Sequence, residues 1–276
     1  MENLKGFKAY TVNQNKKNEF TFDGDLKMQK HPFSLKEIEG HFFEIISREN
    51  DVFLTIVCPT SLKSELDGLS EVLDVKIISN SGSSDFISQV NLGIEKCETE
   101  WFSIFEIDDV YKPIWLKSIS EYVKIYPDVD IFLPIVKDVN SEGKFTSFTN
   151  ESAWAYGFSE MQGYIDNEIL LEFQNYQTSG GLFRTKAIKE NGSFKENIKL
   201  TFTYEFFLRM THNGVKVMTV PRVGYQHVNF RENSLFWNYK NDEKTLLTEK
   251  EVKFWMETAK KEFFFKNKRD VTYTES

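Results

Sequence analysis

The sequence predicts a mixed α/β protein with a mostly parallel sheet flanked by helices. Three apolar runs of strand length, at 52–59, 75–79 and 101–105, alternate with segments that have helical character. Because a crossover of helical length joins parallel neighbours in a sheet, this alternation is typical of a parallel sheet. The length of 276 residues and the 40% of hydrophobic residues suit one large domain with added elements.

Residues 1–50 are predicted to be an N-terminal appendage made of a hairpin and a helix. The segment 7–25 contains two short strand-like runs around a polar turn. Ser34 and Glu37 have the spacing of a capping box, which marks the start of a helix. The apolar residues that follow recur at helical spacing and predict an amphipathic helix: Ile38, Phe42, Ile45 and Ile46.

Residues 51–236 are predicted to form the main domain. Its expected elements are strand 52–59, strand 75–79, helix 86–97, strand 101–105, helix 113–126, strand 130–136, a strand feeding a helix over 179–188, helix 204–214 and strand 215–221. The segment 137–175 between them is polar, and we expect it to be irregular. Pro113 suits the first turn of its helix, and Gly214 suits a helix end.

Residues 237–276 are predicted to be a C-terminal helical extension. Thr248 and Glu251 form a second capping box ahead of an apolar stripe. The segment 259–269 then combines three consecutive phenylalanines with five basic residues. This composition suits peripheral contact with an anionic membrane surface, and it equally suits a packed helix with a solvated basic face.

Charge and cysteine content exclude several classes of protein. The formal net charge of −8 argues against a nucleic-acid surface, where basic side chains supply most of the affinity. Two cysteines, Cys58 and Cys97, are too few for a disulfide framework, which points to a reducing compartment. No hydrophobic stretch follows Met1, and no apolar run is long enough to span a membrane. We therefore expect a cytoplasmic protein, with peripheral membrane contact as an added possibility.

Three polar segments follow the three predicted strands, and one of them is strongly acidic. They are "CPTS" from Cys58, "NSGSSD" from Asn80 and "EIDD" from Glu106. Ligands of open α/β sheets bind beyond the carboxyl ends of the strands. Clustered carboxylates there suit a hard divalent cation, although a solvated loop ahead of a helix N-terminus accounts for acids at this position too.

Six motifs in the same order resemble a family 2 glycosyltransferase with the GT-A fold, which uses nucleotide-activated sugars. They are Pro59–Thr60, "NSGSSD" at 80–85, "NLG" at 91–93, "EIDDVYKP" at 106–113, "SGGLFRTKAI" at 179–188 and "FFLRMTHNGVKVMTVP" at 206–221. The resemblance covers roughly residues 52–236. It implies transfer of a sugar, with inversion, to a carbohydrate, lipid-linked or protein acceptor.

The resemblance also implies a divalent cation, Mg²⁺ or Mn²⁺, on the donor diphosphate. Asp109 is then the first candidate ligand, and Glu106 and Asp108 line the donor. His227, which follows a predicted strand, is a further candidate ligand, with an ordinary structural role as the alternative. The remaining residues implied in nucleotide-sugar binding are Pro59, Thr60, Asn80, Gly82, Asp85 and Asn91.

The general base is the position where the sequence departs from the family. The family's Glu-Asp pair falls on Phe202 and Thr203, neither of which can accept a proton from an acceptor hydroxyl. Glu205 is the candidate closest in sequence, and Asp166 and Glu168 are the alternatives. This departure keeps a second function open, a GT-A-fold protein that has lost catalysis and serves in binding or structure.

Overall fold

In the computed structural model, the described residues form a β-sheet with helices packed against it. The described residues are 10–12, 20–22, 41–46, 52–59, 75–80, 86–106, 109–151, 163–229, 231–232 and 234–274, and up to residue 80 they are described by their backbone. The strands are β1 (Tyr10–Val12), β2 (Phe20–Phe22), β3 (His41–Ile46), β4 (Val52–Pro59), β5 (Val75–Asn80), β6 (Trp101–Glu106), β7 (Val110–Tyr111), β8 (Ile131–Val139), β9 (Phe145–Thr149), β10 (Tyr164–Ile165), β11 (Leu182–Arg184) and β12 (Val217–Val228). The helices are α1 (Phe86–Lys96), α2 (Pro113–Ile125), α3 (Asn167–Glu172), α4 (Thr185–Asn191), α5 (Phe202–His212), α6 (Leu235–Asn241) and α7 (Glu249–Glu262).

Ten strands form one mixed sheet in the order β10-β12-β8-β11-β6-β3-β4-β5, with β7 pairing β12 and β9 pairing β8. Strands β4 and β5 are parallel, and so are β8 and β12. Strand β6 is separated from β4 by the antiparallel strand β3 and from β8 by the antiparallel strand β11. Therefore β4, β5, β6, β8 and β12 all run in one direction. All five are among the strands that the sequence pattern predicts, and the mixed α/β class is confirmed. Their carboxyl ends therefore meet at one edge of the sheet.

Helices cover both faces of this sheet. Alternate residues of β6 and β8, such as Phe102, Ile104 and Leu133, join one core cluster with residues of α1, α5 and α7. The opposite face is covered by α2, whose buried Trp115 packs against Gly224 of β12. A Cβ at Gly224 would lie 2.8 Å from the Trp115 ring, so the close approach of α2 requires glycine there.

The N-terminal prediction is correct for the hairpin and wrong for the helix. Strands β1 and β2 pair antiparallel, as the predicted hairpin requires. Residues 41–46, however, form strand β3 between β4 and β6, so they belong to the main sheet rather than to an appendage. A run such as Phe42 to Ile46, rich in aromatic and β-branched residues, suits a strand that is paired on both sides. The preceding part of the predicted helix lies outside the described residues.

The segment 137–175 contains regular structure that the sequence does not predict. Strand β9 lies at an edge, and four of its five residues are exposed, so it lacks an apolar alternation. Helix α3 is short and begins at Asp166, whose carboxylate accepts a hydrogen bond from the amide of Ile169.

The C-terminal helix α7 forms as predicted, with the Thr248–Glu251 capping box complete. Trp255 and Ala259 pack into the core, whereas Phe264 and Phe265 beyond the helix are exposed. None of the helices in the described part of the chain combines the length and the apolar character that a membrane span requires.

Candidate functional site

The carboxyl edge of the sheet carries a cluster of charged side chains. Strand β6 ends at Glu106, and His227 lies near the end of β12, in register with Asp138 of β8. After Glu106 the chain turns back, with the amide of Asp109 donating to the carbonyl of Glu106 at 3.0 Å. Because β6, β8 and β12 run in the same direction, residues distant in sequence meet at this edge.

Three of these side chains converge closely enough to bind one ion. Each of Glu106, Asp109 and His227 offers a ligand atom, and these atoms lie within 4.8 Å of one another. His227 Nδ1 lies 2.9 Å from Asp109 Oδ2 and 3.9 Å from Glu106 Oε1. Asp109 is fully buried, and its Oδ1 accepts a hydrogen bond from the amide of Val228 at 2.9 Å.

The electrostatics of the cluster favour positive charge at its centre. Burial acts to lower the pKa of His227, but the carboxylates of Asp109 and Glu106 outweigh it and raise that pKa to about 10. Without an ion, the protonated imidazole therefore offsets the negative charge of the two acids. An ion that binds here displaces this proton, because a histidine ligand must be neutral.

The donor set fits a divalent cation of the Mg²⁺ or Mn²⁺ type. Two carboxylates supply the oxygen ligands that both ions prefer, and an imidazole is a ligand that transition metals accept. One of the three residues is fully buried and the other two are partly exposed, so the cluster is accessible from solvent. The predicted candidates Glu106, Asp109 and His227 are thus brought together.

Ser179 and Tyr225, to which the sequence assigns no role in the site, hold Glu106. The Ser179 hydroxyl donates to Glu106 Oε1 at 2.5 Å, and the amide of Glu106 donates to the hydroxyl of Tyr225 at 3.1 Å. These partners lie 73 and 119 residues away in the chain, and no local spacing marks such contacts.

Asp138 is a further acid at this edge that the sequence analysis misses. It is buried, and its Oδ2 accepts hydrogen bonds from Ser147 at 3.0 Å and from Thr149 at 2.6 Å. Its charge adds to the effects that raise the pKa of His227. It belongs to the surroundings of the cluster and not to the three converging ligands.

The position of Glu205 argues against its predicted role as the general base. Its side chain is 0% exposed, and Arg209 Nε lies 2.8 Å and Lys195 Nζ 2.9 Å from its Oε1. An acceptor hydroxyl cannot reach this carboxylate without unpacking the core. The sequence predicts that Glu205 lies at the start of a helix. It does not predict which face of α5 carries the side chain.

Asn91 has a structural role in place of the predicted contact with the donor. Its Nδ2 donates to the carbonyl of Phe194, and its Oδ1 accepts from the amide of the same residue. Both polar atoms of its side chain therefore join α1 to the chain that follows α4.

Several predicted residues have no described side chain. Thr60, Gly82, Asp85 and Asp108 lie outside the described residues, and Pro59 and Asn80 are described by their backbone at the ends of β4 and β5. Of the alternative bases, Asp166 caps α3 and Glu168 lies in its first turn, and both are exposed.

No protein-family model and no curated protein matches this chain. The solved structures that resemble it include glycosyltransferases. S. aureus TarS 1–349 in complex with UDP-GlcNAc matches at 16% identity and a TM-score of 0.49, over 66% of this chain and 51% of that one. The same fragment with UDP has a TM-score of 0.47 at 16% identity, over 63% and 50% of the two chains.

A mannosyltransferase from Pyrobaculum calidifontis in complex with GDP-Man and Mn²⁺ also matches. It has 12% identity and a TM-score of 0.44, over 67% of this chain and 50% of that one. This chain thus spans about half the length of these proteins. Likeness at such low TM-scores and identities carries no argument, so the fold class rests on the strand order above and the function on the residues of the site.

Proposed function

We propose that this chain transfers a sugar from a nucleotide-activated donor, with inversion and with a divalent cation held by Asp109, His227 and Glu106. The observation that carries the proposal is the convergence of these three side chains at the carboxyl edge of the sheet. Ligands of open α/β sheets bind at this edge. The acidic segment that supplies two of the three residues is also the one whose sequence resembles the donor-binding motif of family 2 glycosyltransferases.

The loops after β4 and β5 are proposed to surround the nucleotide. The two strands are parallel neighbours, with Pro59 in register with Asn80, so they end side by side at this edge of the sheet. The residues proposed to contact the donor from these loops and from the acidic segment are Pro59, Thr60, Asn80, Gly82, Asp85, Glu106 and Asp108.

The chemistry of such a transfer assigns the chain two tasks. A carboxylate or another base must take the proton of the acceptor hydroxyl, an effect worth roughly 10²–10⁴-fold in rate. Glu106, Asp109 and His227 must hold the cation, which when bound offsets the charge of the leaving diphosphate. The acceptor is proposed to be a carbohydrate, a lipid-linked group or a protein.

A second candidate function is a binding protein that keeps the donor site and has lost transfer. The burial of Glu205 favours it, because Phe202 and Thr203 already replace the acids that the family resemblance places before α5. Donor binding without transfer or donor hydrolysis, tested with a broad panel of acceptors, would favour this alternative.

The test of both functions begins with Mn²⁺ and the variant Asp109→Asn. The wild type should bind Mn²⁺ in electron paramagnetic resonance titrations and should bind UDP-GlcNAc, GDP-mannose or another nucleotide sugar more tightly when Mn²⁺ is present. Asp109→Asn removes a ligand charge but keeps an acceptor for the amide of Val228. We expect it to weaken Mn²⁺ binding by at least about 10²-fold.

Asp128→Asn is the matched control for this experiment. Asp128 is an exposed acid paired with Lys216 just before β8, at the opposite edge of the sheet. Its replacement should leave Mn²⁺ binding unchanged. Equal Mn²⁺ affinity in Asp109→Asn and Asp128→Asn would contradict the proposed cation site.

A further inference from the structure

We propose that Ser179 is a positioning residue that orients the Glu106 carboxylate for the cation. The inference rests on the proposed function, because it concerns a ligand of the same cation site. Ser179 opens the "SGG" segment that the sequence analysis singles out, and the proposed function gives this segment no role.

The contact between the two side chains is short and shielded. Ser179 is 4% exposed, and its hydroxyl donates to Glu106 Oε1 at 2.5 Å. Oε1 is also the Glu106 oxygen that lies 3.9 Å from His227 Nδ1. A hydroxyl that donates to this oxygen restricts the rotation of the carboxylate.

The backbone around Ser179 is held by contacts with β6 and β12. Ser179 pairs with Ile104 in an isolated parallel bridge, and the amide of Gly180 donates to the carbonyl of Ile104 at 2.8 Å. Gly180 has φ of +76°, and a Cβ there would lie 2.5 Å from the ring of Tyr225. Glycine is therefore required next to Ser179, both by the backbone conformation and by the lack of space.

Tyr225 of β12 also contacts both Glu106 and the segment that contains Ser179. Its hydroxyl accepts a hydrogen bond from the amide of Glu106, and its ring lies against Gly180. The backbone of Glu106 is thus held by Tyr225 and its carboxylate by Ser179. The "SGG" segment and β12 together form a rigid frame for one ligand of the cluster.

Loss of the Ser179 hydroxyl should weaken cation binding without removing a ligand. A carboxylate that is no longer held must be ordered when the cation binds, and this lowers the affinity. Replacing residues that orient metal ligands typically costs 10–100-fold in metal affinity. We expect Ser179→Ala to weaken Mn²⁺ binding by about the same factor.

Ser103→Ala is the matched control. Ser103 is also buried, and its hydroxyl donates to the carbonyl of Gly181 at 2.7 Å, so its loss removes a hydrogen bond from the same segment. The two variants should have similar melting temperatures. Mn²⁺ titrations followed by electron paramagnetic resonance should show near-normal affinity in Ser103→Ala and weaker affinity in Ser179→Ala.

A double-mutant cycle separates orientation from a general loss of structure. In a Glu106→Gln background the Ser179→Ala change should have almost no further effect on Mn²⁺ affinity, because the carboxylate that Ser179 orients is gone. If Ser179→Ala does not fold, Ser179→Cys takes its place, since a thiol keeps the side chain's shape but donates weakly.

Three results would overturn the inference. The first is an Mn²⁺ affinity of Ser179→Ala, or of Ser179→Cys where that variant replaces it, that equals the affinity of Ser103→Ala. Additive effects of Ser179→Ala and Glu106→Gln would make Ser179 a structural residue only. Absence of Mn²⁺ binding by the wild type would overturn the inference together with the proposed function, whereas the first two results leave the proposed function intact.

Discussion

Glu205, Arg209 and Lys195 form a buried cluster in which one carboxylate faces two cations. Arg209 also donates to the carbonyls of Asn191, Gly192 and Ser193, and Lys195 donates to the carbonyl of Glu262. The cluster therefore joins α5 to the chain after α4 and to the end of α7. Its role is to hold these elements together.

Glu205→Gln should lower the free energy of unfolding by about 3–5 kcal/mol, because it leaves two buried cations without their counter-charge. Urea denaturation measures the change. Glu257→Gln serves as the control, since Glu257 pairs with Lys260 near the surface and its loss should cost less than about 1 kcal/mol. A Glu205→Gln protein of normal stability that has lost turnover would restore Glu205 as a candidate base.

Glu151 is an acid that folding places in an unfavourable environment. Burial raises the pKa of Glu151 above its ordinary value of 4.5, and the charge of Asp138 adds to this effect. Its Oε2 is buried and has no hydrogen-bond partner among the residues that the structure describes. Folding therefore favours the protonated carboxyl, and stability falls as the pH rises from 4.5 through the higher pKa of the folded state.

Glu151→Gln removes this pH dependence, because an amide does not ionise. The melting temperature of the variant, relative to the wild type, should increase between about pH 4.5 and about pH 7.5. The exposed residue Glu142 provides a control, and Glu142→Gln should show no such trend. A constant difference between Glu151→Gln and the wild type over this range would contradict the prediction.

At the level of single residues, the sequence predicts the candidate cation ligands better than the residues that hold these ligands in place. Glu106 and Asp109 lie in one short acidic segment, and His227 follows the predicted strand 215–221, so each has a local signal. Ser179 and Tyr225 act through contacts across the sheet, and Glu205 is determined by the face of α5 on which it lies. Contacts of this kind depend on the tertiary packing and leave no periodic pattern.

Helix α7 has a complete capping box at its N-terminus, and loss of this cap should destabilise the protein. The Thr248 hydroxyl accepts from the amide of Glu251, and the Glu251 carboxylate accepts from the amide of Thr248. Because Trp255 and Ala259 of α7 belong to the core, fraying of the first turn should lower global stability.

Thr248→Ala should lower the free energy of unfolding by about 1 kcal/mol, the typical cost of losing such a cap. Chemical denaturation measures the change, and Thr272→Ala at an exposed position outside the helices is the control. Equal denaturation midpoints for Thr248→Ala and Thr272→Ala would show that the cap does not contribute to stability.

The elements that the sequence predicts correctly are those with strong local signals. Strands β4 and β6 are apolar runs, and α7 has both a capping box and an apolar stripe. Strand β3 is not predicted because Phe42, Ile45 and Ile46 fit a helical period as well as a strand that is paired on both sides. The edge strand β9 is not predicted, because four of its five residues are exposed and it therefore has no apolar pattern.

For the whole molecule, the sequence predicts the common direction of five strands and hence the edge where the site lies. Five strands run in the opposite direction, and four of them are five residues or shorter; of these five the sequence predicts β11 alone, within the segment 179–188. Short strands such as β7 and β10 are fixed by their neighbours in the sheet. Their own sequences carry too few residues for a pattern.

The surface beyond α7 concentrates aromatic and basic residues on an otherwise acidic protein. Phe264 is 58% and Phe265 40% exposed, and Lys261, Lys266 and Lys268 are exposed beside them. Two phenylalanine rings that enter a lipid interface contribute roughly 1.5–3 kcal/mol each when fully buried, and each lysine near an anionic surface adds about 1 kcal/mol. These values predict weak, salt-dependent binding to anionic vesicles.

The test is sedimentation of the protein with phosphatidylserine-containing vesicles and with pure phosphatidylcholine vesicles. The wild type should sediment with the anionic vesicles at low salt, and the double variant Phe264→Ser/Phe265→Ser should lower the partition coefficient by at least about 10-fold, because both apolar contacts are lost. Phe145→Ser/Phe148→Ser is the matched control, since these two rings are 53% and 39% exposed but belong to β9 and not to the basic segment 259–269. If both double variants bind the vesicles equally, or if the wild type binds neither vesicle, the basic surface is a solvated face that does not contact membranes.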